Sequence, residues 1–344
     1  MSKFLRRVSI FLLYGFLLQV VLPVAVDPFN VFHADNIRDT GISTNSNYVK
    51  VKYVLDNPDK FDGFIFGSSR IGAVHAEKIP GRIYNMMYPG GMPSEHLLNL
   101  KTFVENDVKL FKIYLGVDSL SYTGDIIEHI IQPSRCPYEY LYDDPKYFFS
   151  LYMNPMDTLR SIFIMFTSPE KPIDRARFYS TGNGIVYNQE TKYIWKNDKD
   201  IRITMGRGMH IAESLRDIQK IYEICREHKI ELTIFTNPMH RLTYMASLDK
   251  RYFEFLEGLA KITDFWNFSS LNNVTLDNNS YIDDSHYKAE TGDIMLNVMC
   301  SGEVYPELQA QGFGVKVTRE NAKDFISMLR RQAEDFKHKN SPAP

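Results

Sequence analysis

The sequence predicts an α/β protein in which a parallel β-sheet is covered by helices on both faces and is preceded by one membrane-spanning helix. Two observations support this fold class. Short apolar runs rich in Ile, Phe, Tyr and Val alternate along the chain with amphipathic stretches of helical period. A long apolar segment also follows a basic amino terminus. The chain has 344 residues and is 44% hydrophobic, so we expect one large domain plus an anchor.

The first element is the apolar segment. Three basic residues lie among the first seven positions, and they precede an uncharged stretch at 8–26 that ends at Asp27. A helix of about 20 apolar residues crosses the hydrocarbon core of a bilayer. We therefore expect residues 1–27 to form a cytoplasmic stub and a transmembrane signal anchor of the cell membrane, with the body outside the cytoplasm. A cleaved signal peptide and a buried core helix are the alternatives.

Five apolar runs are predicted to be strands, and they lie at 62–67, 82–87, 111–116, 231–236 and 264–268. Three amphipathic stretches have apolar residues at a period near 3.6 and are predicted to be helices, at 211–229, 252–259 and 322–336. Strands that alternate with helices in this way favour a parallel sheet with both faces covered.

The alternation is interrupted at about 119–208, where aromatic residues are frequent. This insertion is expected either to cover a ligand site at the edge of the sheet, where its aromatic faces would suit sugar rings, or to form a small subsidiary core. Its apolar run at 159–166 is too short to span a bilayer. The whole of 28–338 is predicted to be a single extracytoplasmic domain, followed by a flexible tail at 339–344.

The charge balance argues against one class of protein. The chain has 40 Lys and Arg against 42 Asp and Glu, a formal net charge of −2. A dedicated nucleic-acid-binding protein would show clustered basic residues. The three cysteines are widely spaced and form no CxxC pair, so a disulfide scaffold and a structural zinc site are not expected. No metal or cofactor is expected either.

The first predicted strand runs into Gly67-Ser68-Ser69-Arg70. A glycine at this point lets the backbone turn sharply, so that a serine can start the next helix with its hydroxyl exposed as a nucleophile. A serine after a strand also commonly serves as a helix N-cap, which is the structural alternative.

A second polar cluster follows the last predicted strand, where Asp283 and His286 are three residues apart. This spacing can place a carboxylate against Nδ1 of the imidazole and leave Nε2 to accept a proton from a serine. The carboxyl ends of parallel strands meet at one edge of a sheet. We therefore expect Ser69, His286 and Asp283 to converge as a catalytic triad.

These blocks resemble the SGNH/GDSL hydrolase superfamily, specifically its membrane-anchored branch that includes DltD-like and polysaccharide O-acetylation proteins. The resemblance implies an SGNH-like three-layer sandwich with Ser69 as nucleophile and a glycine amide that binds the oxyanion. The matching segments are 67–69 for the first block, 85–91 for the second, 116–118 for the third and 283–286 for the fifth, and the anchor followed by 27–32 is also similar to this branch.

The third block departs from the family pattern, because Asp118 stands where the superfamily carries an asparagine that donates to the oxyanion. An ionised carboxylate only accepts hydrogen bonds. The oxyanion hole is therefore expected to use the amides of Ser69 and of Gly90 or Gly91. Asp118 itself is expected either to contact substrate or to serve as a partner of nearby backbone groups.

Three further residues are candidates for substrate binding. His240 and Arg241 follow the fourth strand at the same sheet edge, and Arg70 follows the nucleophile. The structural alternatives are a solvated loop histidine at His240 and a salt bridge at Arg70.

The resemblance implies an extracytoplasmic O-acyltransferase, with O-acetyl as the expected group, that modifies a polysaccharide or cell-envelope polymer through a serine acyl-enzyme. It also implies a membrane-bound O-acyltransferase as the partner that supplies acyl groups across the bilayer. Two alternatives stay open: an esterase or deacetylase with the same triad, and a non-catalytic assembly or polymer-binding protein.

Overall fold

The computed structural model describes residues 2–34, 37–38, 40–143, 152–167, 203 and 205–340. The described part is an α/β fold with one mixed sheet. Its strands are β1 (Gly63–Phe66), β2 (Ile83–Asn85), β3 (Lys112–Val117), β4 (Glu231–Thr236), β5 (Phe265–Asn267) and β6 (Val315–Val317).

The described helices begin with α1 (Ser2–Val26), α2 (Ser46–Leu55), α3 (Pro93–Glu105), α4 (Leu120–Thr123), α5 (Ile126–Ile130), α6 (Tyr138–Asp143) and α7 (Pro155–Thr167). They continue with α8 (Ile211–Glu227), α9 (Arg241–Asp249), α10 (Tyr252–Ile262), α11 (Asn273–Leu276), α12 (Ala289–Ser301), α13 (Pro306–Ala310) and α14 (Ala322–Asn340). Short 3₁₀ turns lie at Ser69–Ala73, Ala76–Lys78 and Asn278–Ser280.

The sheet has the strand order β2-β1-β3-β4-β5-β6. The first five strands pair in parallel, as predicted, whereas β6 pairs antiparallel with β5. The expectation of a purely parallel sheet is corrected on this point. The edge strand β6 has only three residues and no apolar run that would identify it in the sequence, and it enters the sheet through Gly312 and Gly314, both with positive φ.

Helices cover both faces of the sheet. In β1, Phe64 and Phe66 join a core with residues of α3, α8, α10 and α14, whereas Ile65 joins a second core with residues of α12 and the 3₁₀ turns. Alternation of side chains along a strand places neighbours on opposite faces. The two cores therefore make three layers around the sheet.

The chain reverses its direction of winding between β1 and β3. The strand β1 lies between β2 and β3. The chain therefore adds β2 on one side of β1 and then crosses to add β3 on the other side. Ligands of open α/β sheets bind at such a switch point, beyond the carboxyl ends of the strands. Gly67 and Gly116 lie there, and a Cβ on Gly67 would be 3.0 Å from the Gly116 carbonyl oxygen. The close approach of these two strand ends needs glycine.

The helix α1 stands apart from the body. Residues Lys3–Val26 are long and apolar enough to cross a membrane, and this span is almost entirely exposed. The core-helix alternative therefore does not fit. The helix ends at the buried Asp27, whose carboxylate accepts hydrogen bonds from the Val31 amide at 3.0 Å, the His33 amide at 2.7 Å and the Tyr152 hydroxyl at 2.8 Å.

The insertion at 119–208 lies partly outside the described residues. Its described helices are α4 to α7. Tyr152 packs with Phe29, Val31, Cys136 and Leu141 in a small core of its own. Much of the insertion lies outside the described residues, so the subsidiary core and the cap over a ligand site both stay predictions.

The helix α2 is fixed to the sheet by a buried lysine. Lys50 is fully buried, and its Nζ donates to the carbonyl oxygens of Asn85 at 3.0 Å and Met87 at 2.8 Å, at the carboxyl end of β2. Burial lowers the pKa of Lys50 from 10.5 to about 7. A neutral amine still has two hydrogens for the two carbonyls.

This burial predicts a pH dependence of stability. Between pH 7 and about 10 the unfolded chain holds a proton on Lys50 that the folded chain has lost, so the free energy of unfolding should rise with pH. The Lys50→Met variant lacks this contribution, and its deficit relative to wild type should grow over that range. Urea unfolding in detergent at a series of pH values measures the difference. Lys52→Met, at an exposed lysine of the same helix, is the matched control and should keep the wild-type slope. A constant deficit for Lys50→Met would contradict the prediction.

Candidate active site

The turn after β1 separates the roles of two serines. Ser68 is buried and caps the 3₁₀ turn, since its Oγ accepts from the Arg70 amide at 3.4 Å. Ser69 is half-buried between two buried neighbours. The N-cap alternative is thus realised by Ser68, and Ser69 presents its hydroxyl toward the neighbouring loop.

That loop contains Asp283 and His286 and is closed by its own hydrogen bonds. The Ile282 amide donates to the His286 carbonyl at 2.8 Å, and Asp283 Oδ1 accepts from the amides of Ser285 and His286, each at 2.8 Å. An aspartate that accepts from the two following amides forms a tight turn. The turn folds the carboxylate back against the imidazole three residues later.

Ser69, His286 and Asp283 form a continuous chain of hydrogen bonds. His286 Nε2 lies 2.8 Å from Ser69 Oγ, and Nδ1 lies 2.8 Å from each carboxylate oxygen of Asp283. Because the carboxylate only accepts, Nδ1 carries the proton and Nε2 is left as the acceptor for the serine hydroxyl. The side chains of His286 and Asp283 are 16% and 35% exposed, so the chain is reachable from solvent.

The charge on Asp283 is secured by its neighbours. Burial alone would raise the pKa of this carboxyl, but hydrogen bonds from His286 and from the Ser285 amide outweigh it and hold the pKa below its usual value. These hydrogen bonds favour the ionised form of Asp283, which accepts the Nδ1 proton of His286. This is the state in which Nε2 can accept a proton.

A buried ion pair lies directly behind the nucleophile. The guanidinium of Arg70 is 2.7 Å from Asp118 Oδ1, and both side chains are 1% exposed. Arg70 Nε also donates to the Ser285 carbonyl at 3.2 Å. Arg70 therefore holds the histidine loop against the nucleophile turn, which agrees with the salt-bridge alternative.

Asp118 has its acceptor positions occupied by the protein. Oδ2 accepts from Ser68 Oγ at 2.9 Å and from Asn237 Nδ2 at 3.0 Å, and Oδ1 accepts from the Leu120 amide at 2.8 Å. It is a partner of nearby backbone and side chains, as in the structural alternative. Contact of Arg70 or Asp118 with substrate stays a prediction, and their burial does not favour it.

Asn237 links the histidine loop to the sheet, and the sequence analysis did not single it out. It follows β4 directly, and its Oδ1 accepts from the Tyr287 hydroxyl at 3.1 Å while its Nδ2 donates to Asp118. Its position at the carboxyl end of a strand, before a proline, is the signal that could have identified it. The Tyr281 hydroxyl reaches the Pro238 carbonyl at 3.4 Å and adds a second link.

The two glycines expected at the oxyanion differ in their backbone. The Gly91 amide donates to the Tyr88 carbonyl at 3.2 Å and closes a turn, and a Cβ on Gly91 would lie 2.7 Å from the Gly67 carbonyl oxygen. The loop that contains Gly90 and Gly91 is thus packed on the turn that contains Gly67 and Ser69. Gly90 has φ of +74°, and within the described chain neither its amide nor that of Ser69 donates to another backbone group. The backbone amides of Ser69 and Gly90 are therefore the candidates to donate hydrogen bonds to a bound oxyanion.

A second histidine–carboxylate pair stands beside this loop. His129 Nδ1 is 2.8 Å from the fully buried Glu95 Oε1, and a Cβ on Gly90 would lie 2.9 Å from His129 Nε2. Glu95 also accepts from the Met92 amide at 3.0 Å at the start of α3. The sequence gives no sign of this pair, because its two members are distant in the chain and match no motif.

His240 and Arg241 are engaged at the start of α9. His240 is 2% exposed, its Nδ1 accepts from the Leu242 amide at 3.3 Å and its Nε2 is 2.9 Å from Asn278 Oδ1. Arg241 donates to the Leu276 carbonyl at 2.8 Å. The structure thus places both at the expected sheet edge in contacts that hold the segment 276–278, and a role in substrate binding stays a prediction.

Among the described residues no group of three or more His, Cys, Asp or Glu side chains is placed to hold a metal ion. Comparison of the chain with protein-family models, with curated proteins and with solved structures finds no match.

The buried ion pair predicts a large stability effect. Asp118→Asn keeps the side-chain shape but leaves the Arg70 guanidinium without a buried counter-charge. We expect the free energy of unfolding to fall by about 3–5 kcal/mol. Glu257→Gln is the matched control, because it breaks a pair with Arg330 in which both side chains are 48% exposed, and its cost should be at most about 1 kcal/mol. Equal costs in chemical unfolding would contradict the structural role of the pair.

Proposed function

We propose that this protein is an extracytoplasmic O-acyltransferase, anchored in the cell membrane by α1, that acylates a polysaccharide or cell-envelope polymer through Ser69. The observation that carries the proposal is the hydrogen-bond chain from Asp283 through His286 to Ser69. The order of the blocks, which resembles the membrane-anchored SGNH branch, supports the same reading. O-acetyl is the expected group.

The geometry supports a two-step reaction. Ser69 Oγ attacks the carbonyl carbon of the acyl donor while His286 Nε2 takes the hydroxyl proton, and the leaving oxygen of the donor receives that proton as its bond to the acyl carbon breaks. A hydroxyl of the polymer then attacks the acyl-serine and gives its proton to His286, which returns it to Ser69. Asp283 stabilises the imidazolium in both steps.

The amides of Ser69 and Gly90 are the proposed donors to the oxyanion of each tetrahedral intermediate. Asp118, which stands in place of the family asparagine, cannot donate, and its charge is paired with Arg70 instead. One missing donor costs about 10² to 10³ in rate in known cases.

A membrane-bound O-acyltransferase is the proposed source of acyl groups, because acyl-CoA is confined to the cytoplasm. The helix α1 is the element available to dock on such a polytopic partner within the bilayer. The anchor favours transfer over hydrolysis, since a secreted esterase needs no membrane partner. The esterase remains the competing function with the same triad, and the cell experiment below separates the two.

A fluorophosphonate probe tests the nucleophile. The full chain in detergent should acquire an adduct on Ser69, identified by peptide mass spectrometry, and Ser69→Ala and His286→Ala should lose it because nucleophile or base is missing. Ser280→Ala, in the 3₁₀ turn before the histidine loop, is the control that should keep the adduct. Labelling that survives in Ser69→Ala or in His286→Ala would overturn the triad.

The acylation level of the envelope polymer in cells tests the direction of the reaction. Cells that carry Ser69→Ala in place of wild type should lose polymer acylation, because the acyl-enzyme cannot form. Increased acylation would show an esterase. If Ser69→Ala has no effect while deletion of the gene does, the protein acts without this nucleophile, as the non-catalytic alternative requires.

A further inference from the structure

The helix α7 exposes apolar side chains and buries polar ones, which is the reverse of the usual arrangement in a helix that faces water. Met156, Leu159, Phe163 and Phe166 are 67%, 53%, 65% and 86% exposed. Their spacing of three, four and three residues places them in one stripe along the helix. This apolar stripe faces away from the part of the protein that the structure describes.

Two polar residues on the opposite side of α7 are buried, although Met165, which also lies on that side, is 43% exposed. Thr158 and Ser161 are 2% and 0% exposed. Ile164, on the same side, touches Gly41, where an added Cβ would lie 2.3 Å from it. A helix in water buries its apolar side and exposes its polar side. The reversed arrangement is expected where the surroundings are lipid, and an exposed apolar patch of this kind marks an interaction surface.

The helix that bears the apolar stripe lies against α1. The two helices pack against each other, and Gln19 Nε2 donates to the Met153 carbonyl at 2.8 Å just before α7 begins. Gln19 lies eight residues before Asp27, which is about 12 Å along the axis at 1.5 Å per residue. Tyr152, next to Met153, is tied to Asp27. The start of α7 therefore lies beside the last turns of the apolar span.

We propose that α7 is a second membrane element, which lies beside α1 in the leaflet next to the body with its apolar stripe against lipid acyl chains. This inference rests on the proposal that α1 spans the membrane. With 13 residues, α7 is too short to cross the bilayer, at about 20 Å against a hydrocarbon core of about 30 Å. Arg160, exposed on the same helix, can extend its charge to the headgroups.

Lipid is the occupant that the position of the stripe favours over a protein partner. The stripe belongs to a helix packed against α1, and α1 itself exposes apolar side chains such as Leu13, Phe16 and Leu18. At one depth in a bilayer, neighbouring exposed surfaces meet the same hydrocarbon. Two packed elements also fix the tilt of the body, which a single helix leaves free.

Quenching of a fluorophore by lipids tests the proposal. Single cysteines at Leu13, Phe163 and Phe111 are labelled with an environment-sensitive fluorophore in the full chain, with Cys300→Ser because Cys300 is the half-buried thiol. The protein is reconstituted in phosphatidylcholine and phosphatidylglycerol vesicles with nitroxide-bearing acyl chains. Phe111, which is 54% exposed and immediately precedes β3, is the matched aromatic control at the amino-terminal ends of the strands.

The labels at Leu13 and Phe163 should lose most of their emission to the nitroxide lipids, and the label at Phe111 should retain it. A label at Leu159 should behave like the one at Phe163, which guards against a local effect of one substitution. If Leu13 is quenched but Phe163 and Leu159 respond only to aqueous iodide, the proposal for α7 fails and the anchor stands. If Leu13 is not quenched, the anchor itself fails. A photo-crosslink from Phe163 to another protein in cell membranes, with no lipid quenching, would overturn lipid in favour of a partner.

Discussion

The buried ion pair between Arg70 and Asp118 connects the turn after β1, the end of β3 and the loop that contains His286. Arg70 follows Ser69 in the chain, Asp118 follows β3, and the same guanidinium holds the carbonyl of Ser285, the residue before His286. The distance between Ser69 and His286 therefore depends in part on a side chain whose charge is removed from water. Such a charge is tolerated only with its partner in place.

The pair also gives Asp118 a structural role at the position where the superfamily that the sequence resembles carries an asparagine. A carboxylate next to an oxyanion hole would oppose the negative charge that develops on the acyl oxygen. Here Asp118 is compensated by Arg70 and accepts hydrogen bonds from Ser68 and Asn237. The negative charge of Asp118 is thus offset by a buried positive charge next to Ser69 in the chain.

Much of the sheet could be predicted because its parallel strands are continuous apolar runs, as buried strands are. The strand β4 begins and ends where the sequence indicates. The meeting of Ser69 with His286 also follows from a rule of topology, since both lie beyond carboxyl ends of strands. The strand β6 has no pattern of its own, and pairs such as Glu95 with His129 join residues 34 positions apart without a motif. Contacts that depend on side-chain direction and on distant chain segments are not encoded locally.

The buried Lys50 has a consequence for the position of Ser69 relative to α1. It ties α2 to the carboxyl end of β2, and the Asn45 amide just before α2 donates to the Phe29 carbonyl in the loop that leaves α1. The sheet edge that bears Ser69 is thus joined through α2 to the loop that follows α1. Under the proposed function, this connection keeps Ser69 close to the bilayer, so that the transfer would reach only polymer hydroxyls near the membrane surface.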